Sequence, residues 1–237
     1  MRLLVGIDDT DSVDSDHGTG RVSRDLGAAL ADRHDVAWVG SVRQQFLVDP
    51  RVPYTTHNSA ACLWFEVDEP PGEALVEAIV EDAGAYLGEV MADVADPGLC
   101  VADAAEVPEA VTAFGRRAQA EVVTKDAAYE TAAAAGVFLD EYGGTGDGVI
   151  GALGSVGLTA AGDRGRFIAY GSIRDYGPEV AVDRLRADGI RVVDGAGADV
   201  AAGTVNTHDW VRPQLRDGQP TLPVEPDGDR LRPANLD

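Results

Sequence analysis

The chain has 237 residues, 45% of them hydrophobic, enough to bury a core as one large domain or two small ones. Its 41 acidic residues against 19 basic ones leave a net charge of −22, and Lys125 is the single lysine among 18 arginines. Two cysteines, Cys62 and Cys100, are too few and too far apart for a disulfide framework or a zinc site, and no apolar run approaches the roughly 18 residues of a membrane helix.

Abundant Asp, Ala and Gly with one Lys is the composition of a halophilic archaeal cytoplasm, where dense salt screens self-repulsion. In that setting an acidic cluster is a weaker sign of a metal, and negative charge a weaker argument against nucleic acid. Aspartates follow Met1–Val5 at once, so no signal peptide is read and a soluble, cytoplasmic protein is expected.

In chain order, Arg2 to Ile7 reads as a short buried strand, followed by the acidic loop "DDTDSVDSDHGTG". Val22, Leu26, Ala29 and Leu30 then fall at helical spacing, with Thr19 as N-cap. Residues 35–47 contain a strand, 49–60 a loop punctuated by Pro50 and Pro53, and 60–67 a second strand. A helix is expected over 73–91, a loop over 92–105, a strand over 118–124 and a helix over 126–138. Beyond the glycine-rich run 141–157 come a strand at 164–173, a helix at 178–187 and a strand at 190–195. The tail after Arg212 holds five prolines and reads as extended over the surface. Alternating strands and helices predict an α/β to α+β fold in two lobes, 1–120 and 121–211, with 212–237 as the tail.

The first loop carries the chemistry. Asp8, Asp9 and Asp11 supply the hard oxygen ligands that magnesium prefers. Gly18, Thr19 and Gly20 stand at a helix start, where backbone N–H groups and the helix dipole favour phosphate. Carboxylates and phosphate belong together when a divalent cation bridges them, the arrangement of phosphoryl transfer. A solvated acidic loop with an ordinary cap is the other reading. The segment is neither a Walker A loop nor an EF-hand, because the Lys of the one and the Gly and terminal Glu offsets of the other are missing. "DTDSV" also matches the haloacid-dehalogenase nucleophile motif, whose downstream basic and acidic partners would have to be Lys125 and Asp126.

Elsewhere, His57 and Asn58 are candidates for substrate contact, or polar surface. Lys125 is a candidate phosphate partner, or a surface lysine. Gly144 and Gly146 in "GGTGDG" mark either a second backbone anion site ahead of a helix or a flexible turn. "RDY" at 174–176 and Trp210 read as structural, His17 and His208 as solvent-facing.

"GIDDTDS", a Thr ahead of a helix, "DPRVPYTTHNSAA", "GDGVIGAL" and "RFIAYGS" occur in the order found in archaeal agmatidine synthetases, which this chain resembles over about residues 2–65 and 120–175. Those enzymes modify the anticodon cytidine of an isoleucine tRNA with agmatine, using ATP. The resemblance implies a kinase-like N-terminal lobe and a ferredoxin-like second lobe. It implies that Asp8, Asp9 and Asp11 hold Mg–ATP, and that Thr19 corresponds to a threonine that becomes phosphorylated, although the loop is one residue longer than the family pattern. Two basic residues of the family's "PYKTRGNGA" are Thr55 and His57 here, and the arginine of its "GRGxIGA" is Asp147. An acidic exchange there opposes RNA, and the sequence contains no CxxC for the family's zinc ribbon.

The resulting expectation is an ATP- and magnesium-dependent phosphoryl-transfer enzyme acting on a small-molecule acceptor, with tRNA disfavoured. A tRNA-modifying enzyme using a separate RNA-binding partner and a non-catalytic nucleotide-binding module remain as alternatives.

Overall fold

The computed structural model describes residues 1–10, 18–52, 58–91, 95–208 and 210–234. The first elements are β1 (Arg2–Asp8), α1 (Thr19–Arg33), β2 (Ala37–Gln45), β3 (Ser59–Glu66), α2 (Glu73–Met91), β4 (Gly98–Asp103), α3 (Glu109–Ala120), α4 (Lys125–Ala135) and β5 (Phe138–Glu141). They are followed by α5 (Gly148–Ala161), β6 (Arg166–Tyr170), β7 (Glu179–Ala181), α6 (Val182–Ala187), β8 (Arg191–Val193), β9 (Thr204–Asn206), β10 (Gln214–Arg216), β11 (Gln219–Asp227) and β12 (Arg230–Pro233).

The strands pair in the order β5-β4-β1-β3-β2-β6-β10-β11-β12-β9-β7, with β8 beside β11. β1 is antiparallel to both of its neighbours, β3 and β4, and parallel pairing is confined to β8–β11 and β9–β12. The fold is mixed α and β around a large sheet, as expected. Its mainly antiparallel pairing, however, removes the parallel-sheet rule that ligands bind at the carboxyl ends of strands. Another cause must place a site at the end of β1.

That cause is a strand covered on both faces. Side chains alternate along β1, so Leu3, Val5 and Ile7 join one buried cluster with Val22 and Leu26 of α1 and Ile79 and Leu87 of α2. Leu4 faces the other way, into a cluster with Val149, Ala152 and Val156 of α5. Gly6 and Asp8 share that second face by parity, and a Cβ on Gly6 would fall 2.3 Å from the Ala152 carbonyl oxygen. A central strand buried on both sides reads as a continuous apolar run, which is why it is legible in sequence. The expected boundary near 120 lies between α3 and α4. β5, α5 and β6 from beyond it pack onto β4, β1 and β2 from before it.

Several local expectations are corrected. Residues 98–103, expected in a loop, form β4, whose first five residues are buried beside β1. Six residues without alternation, flanked by Ala and Asp, carry no period to read. The strand expected at 118–124 is the last turn of α3 and a short connection: Val111, Phe114 and Ala118 set a helical stripe that begins upstream. α4 stops at Ala135 because Gly136 turns left-handed at φ 67°, and Phe138 opens β5 instead. Residues 179–181 are a strand before the shorter helix α6. Thr19 is the first residue of α1, not its cap; Gly18 is extended, and its carbonyl accepts from the N–H of Arg21 and of Val22. The proline-bearing tail is built into the sheet as β10, β11 and β12, with Leu215, Leu222 and Val224 in the core. Proline argues against interior strands, and here tertiary burial overrides it. No helix among the described residues is long and apolar enough to cross a membrane.

Cys62 on β3 and Cys100 on β4 are both register partners of Gly6 and therefore flank β1. Two strand spacings, roughly 9.5 Å, separate them, beyond the reach of a disulfide. Burial pushes the Cys62 thiol up from 9.0 to about 12, and burial followed by its neighbour Cys62 raises Cys100 as well. Both thiols should therefore be inert to a disulfide reagent at pH 8 and react in full only after denaturation, as thiol titration with and without denaturant would show. Because folding holds these groups neutral, stability should fall as pH rises from about 9 toward 12, where only the unfolded chain gains by ionising.

Candidate functional site

Helix α5 begins where β1 ends. A Cβ on Gly98 of β4 would fall 2.2 Å from the Gly148 carbonyl carbon, so strand and helix meet backbone to backbone. One turn further along α5, a Cβ on Gly151 would lie 1.8 Å from Asp8 Oδ2. The Asp8 carboxylate thus rests against bare backbone at the first turn of α5, where the helix dipole favours negative charge. The next residue, Asp9, is left-handed at φ 51°, a conformation Asp tolerates better than most side chains. That turn leaves both carboxylates lining one cleft.

The cleft encloses about 350 Å³. Charged side chains of Asp8, Asp9, Arg51, Glu121, Lys125 and Asp147 line it together with the apolar Phe46, Val123 and Ile150. A cleft lined by both apolar side chains and carboxylates offers a surface for a ring and polar groups for a charged ligand.

Lys125 stands at the first position of α4, after Thr124, whose hydroxyl caps the helix by accepting from the Ala127 N–H. Its Nζ donates to Glu141 Oε2 at 2.8 Å and to the Thr145 carbonyl at 2.7 Å. The hydrogen bond to Glu141 raises its pKa, so the ammonium stays charged. Lysine therefore braces the glycine loop as well as facing the cleft. In that loop Gly144 and Gly146 have φ of 55° and 72°. The anion the loop holds is the protein's own: the Thr145 N–H donates to Asp96 Oδ1, and the Thr145 hydroxyl to Asp96 Oδ2. Asn58 also lines the cleft, and its Nδ2 donates to the Leu47 carbonyl at 2.6 Å, tying the end of β2 to the start of β3.

Asp8, Asp9, Asn58 and Lys125 are therefore brought together. Gly18, Thr19 and Gly20 are not among the described residues lining that cleft. Gly20 lies near Ile168 of β6, and its carbonyl accepts from Arg24 Nη1 at 2.7 Å and Ser23 Oγ at 3.0 Å. Asp11 and His57 lie outside the described residues, as do Asp14, Asp16 and His17. Among the described residues no group of three or more His, Cys, Asp and Glu is arranged to hold a metal. Magnesium keeps several waters and asks only one or two carboxylates of a protein that also binds its substrate's phosphates, a demand that Asp8 and Asp9 fit. Sequence reasoning misses the apolar wall, Phe46 and the connection after α3, since its only signal there reads as a strand.

No protein-family model matches the chain. Similarity to known proteins is nevertheless extensive. TiaS from Pyrococcus horikoshii, the 2-agmatinylcytidine synthetase of an isoleucine tRNA, is 30% identical over 188 residues, covering 78% of this chain and 42% of that protein. This chain resembles TiaS. The TiaS of Pyrobaculum neutrophilum is 33% identical over 175 residues, covering 72% of this chain and 38% of that protein. The solved complex of TiaS with its isoleucine tRNA and ATP superposes with a TM-score of 0.51 at 26% identity, over 66% of this chain and 36% of that one. The chain thus spans about two fifths of the TiaS proteins it matches.

Proposed function

We propose that the chain carries the ATP-dependent catalytic part of a tRNA-modifying synthetase that joins agmatine to a cytidine. The supporting observation is the likeness to TiaS, which includes a complex with both an isoleucine tRNA and ATP. It favours the tRNA-modifying alternative over the expectation of a small-molecule acceptor with tRNA disfavoured, which rests on the exchanged basic residues and the acidic net charge. Net charge describes the whole surface, and a local cationic region suffices to hold RNA.

In this reading Phe46, Val123 and Ile150 face the base of ATP, and Asp8 and Asp9 would hold the magnesium ion that accompanies its phosphates. Bound there, magnesium supplies charge neutralisation at the phosphate oxygens. Lys125, whose ammonium is ion-paired with Glu141, lines the same cleft. Thr19 is the proposed phosphoacceptor, which requires its hydroxyl to reach the cleft across the start of α1. Mass spectrometry after incubation with ATP and magnesium should find a phosphate on Thr19, and Thr19→Ala should abolish it. An unmodified Thr19 with undiminished turnover in the alanine variant removes that role.

The decisive assay supplies ATP, magnesium and agmatine with either a transcript of that isoleucine tRNA or free cytidine, and analyses the nucleosides. Agmatinylcytidine in the tRNA arm alone is the expected result. ATP consumption driven only by cytidine would overturn the tRNA reading.

A further inference from the structure

A second cleft of about 400 Å³ opens on the C-terminal side of β2, between β2, β6 and β10. Four arginines line it, Arg43, Arg164, Arg166 and Arg216, against one carboxylate, Asp163. In a chain of net charge −22 that is a local reversal of sign. Most arginines elsewhere are paired: Arg51 with Asp49, Arg117 with Glu121, Arg184 with Asp188, Arg191 with Asp199. Among the described residues Arg43 and Arg216 have no carboxylate partner. Arg43 donates from Nε to Ser59 Oγ and from Nη2 to Gln45 Oε1, and Arg216 from Nε to Gln214 Oε1. These neutral partners fix the two guanidiniums in place without cancelling their charge.

Like charges are also gathered beyond the cleft. Burial first, then Arg166 and Arg212, lowers the pKa of Arg43. Arg212 and Arg174 both lie over the Trp210 ring, 4.4 and 4.3 Å from its centre. Trp210, structural by its sequence context, thus carries two guanidiniums on its ring. Repelling guanidiniums cost free energy in the free protein, and an anion that bridges them removes that cost.

The cleft has one further, independent mark. Gln44 lines it and is fully buried. Its Nε2 donates to the Arg164 carbonyl at 2.9 Å and to Thr159 Oγ1 at 3.3 Å. The opposite amide orientation would set two oxygens against each other at Arg164, so Oε1 is the atom left over. Among the described residues it has no hydrogen-bond partner. A buried acceptor left unanswered is a cost that the fold tolerates in the wall of this cleft.

We propose that this cleft is a second site for a nucleotide, in which Arg43 and Arg216 hold its phosphate. The nucleotide comes either as a free monophosphate or as one residue of an RNA strand whose neighbouring phosphates lie along Arg174 and Arg212. Arg43 links the two clefts, since Ser59, which accepts from it, lines the first one. The proposal goes beyond the reading of the first cleft and does not depend on it.

The test is calorimetric titration of the full chain, at low and at high salt, with cytidine, cytidine 5′-monophosphate and a short single-stranded oligoribonucleotide. At low salt a phosphate-bearing probe should bind, and Arg43→Gln or Arg216→Gln should each weaken it at least ~10-fold. Arg216→Lys, which keeps the charge, should recover part of the loss. Comparable affinity for monophosphate and oligonucleotide assigns a free nucleotide. Binding of the oligonucleotide alone, falling steeply with salt, assigns RNA. Cytidine binding as tightly as its monophosphate, no binding by any phosphate-bearing probe at low salt, or unchanged affinity in a folded Arg216→Gln variant would each overturn the proposal. Arg216 lies outside the first cleft, so ATP binding in Arg216→Gln should match the parent and serves as the folding control.

Discussion

Asp8→Asn is expected to lower ATP-dependent turnover at least ~10²-fold while leaving the protein folded. The exchange is isosteric, so the close packing of Asp8 against Gly151 is preserved and only the charge is lost. Loss of a carboxylate from a helix N-terminus costs about 0.3–1 kcal/mol, and relief of repulsion from Asp9 and Asp147 at the same cleft offsets part of it. Thermal unfolding should therefore shift by only a few degrees. Calorimetric titration with ATP and magnesium separates the causes: a weakened ATP complex places Asp8 on the metal and phosphates. Turnover within threefold of the parent would remove Asp8 from the reaction.

The second large effect distinguishes packing from chemistry along one helix. In Gly6→Ala the new methyl meets the Ala152 carbonyl oxygen at 2.3 Å, a backbone atom that can retreat only if α5 moves as a whole. We expect a loss of about 3 kcal/mol, the upper end for overpacking, and a melting point lower by roughly 6–12 °C. In Gly151→Ala the methyl meets the Asp8 carboxylate, the far end of a side chain that can rotate away. That variant should keep its stability, aided by up to ~1 kcal/mol of helix propensity. It should still lose turnover by about 10²-fold, because the carboxylate is driven from its place. If both variants melt alike, Gly151 matters for packing, and if Gly151→Ala turns over like the parent, the position of Asp8 is not critical.

How much of this is legible in the sequence can be read from particular residues. β1, β3 and α2 stand out because their apolar runs and periods are long. β4 and the tail strands are short or rich in proline, and their identity depends on neighbours that pair with them from far along the chain. Asp8, Asp9, Asn58 and Lys125 are singled out by residue type at strand ends and junctions, and the cleft gathers all four. Thr19 joins the same group by sequence neighbourhood, yet α1 lies on the opposite face of β1 from α5, and the cleft's described lining does not include it. The glycine loop at 143–146 reads as a place for an outside anion, and Asp96, 49 residues away from Thr145, fills it.

The sequence by itself determined the acidic character, the mixed α and β class, the motif at the end of the first strand and the likeness to the agmatidine synthetases. Each of these depends on residue identity and local spacing, which a single chain displays directly. Only the tertiary structure decided which charges meet. It set the bare backbone of Gly151 against Asp8, tied Lys125 to Glu141 and gathered Arg43, Arg216 and Gln44 into a second cleft. Those outcomes depend on side-chain parity across antiparallel strands and on how closely a glycine-lined helix can approach a sheet, distances that no local pattern encodes.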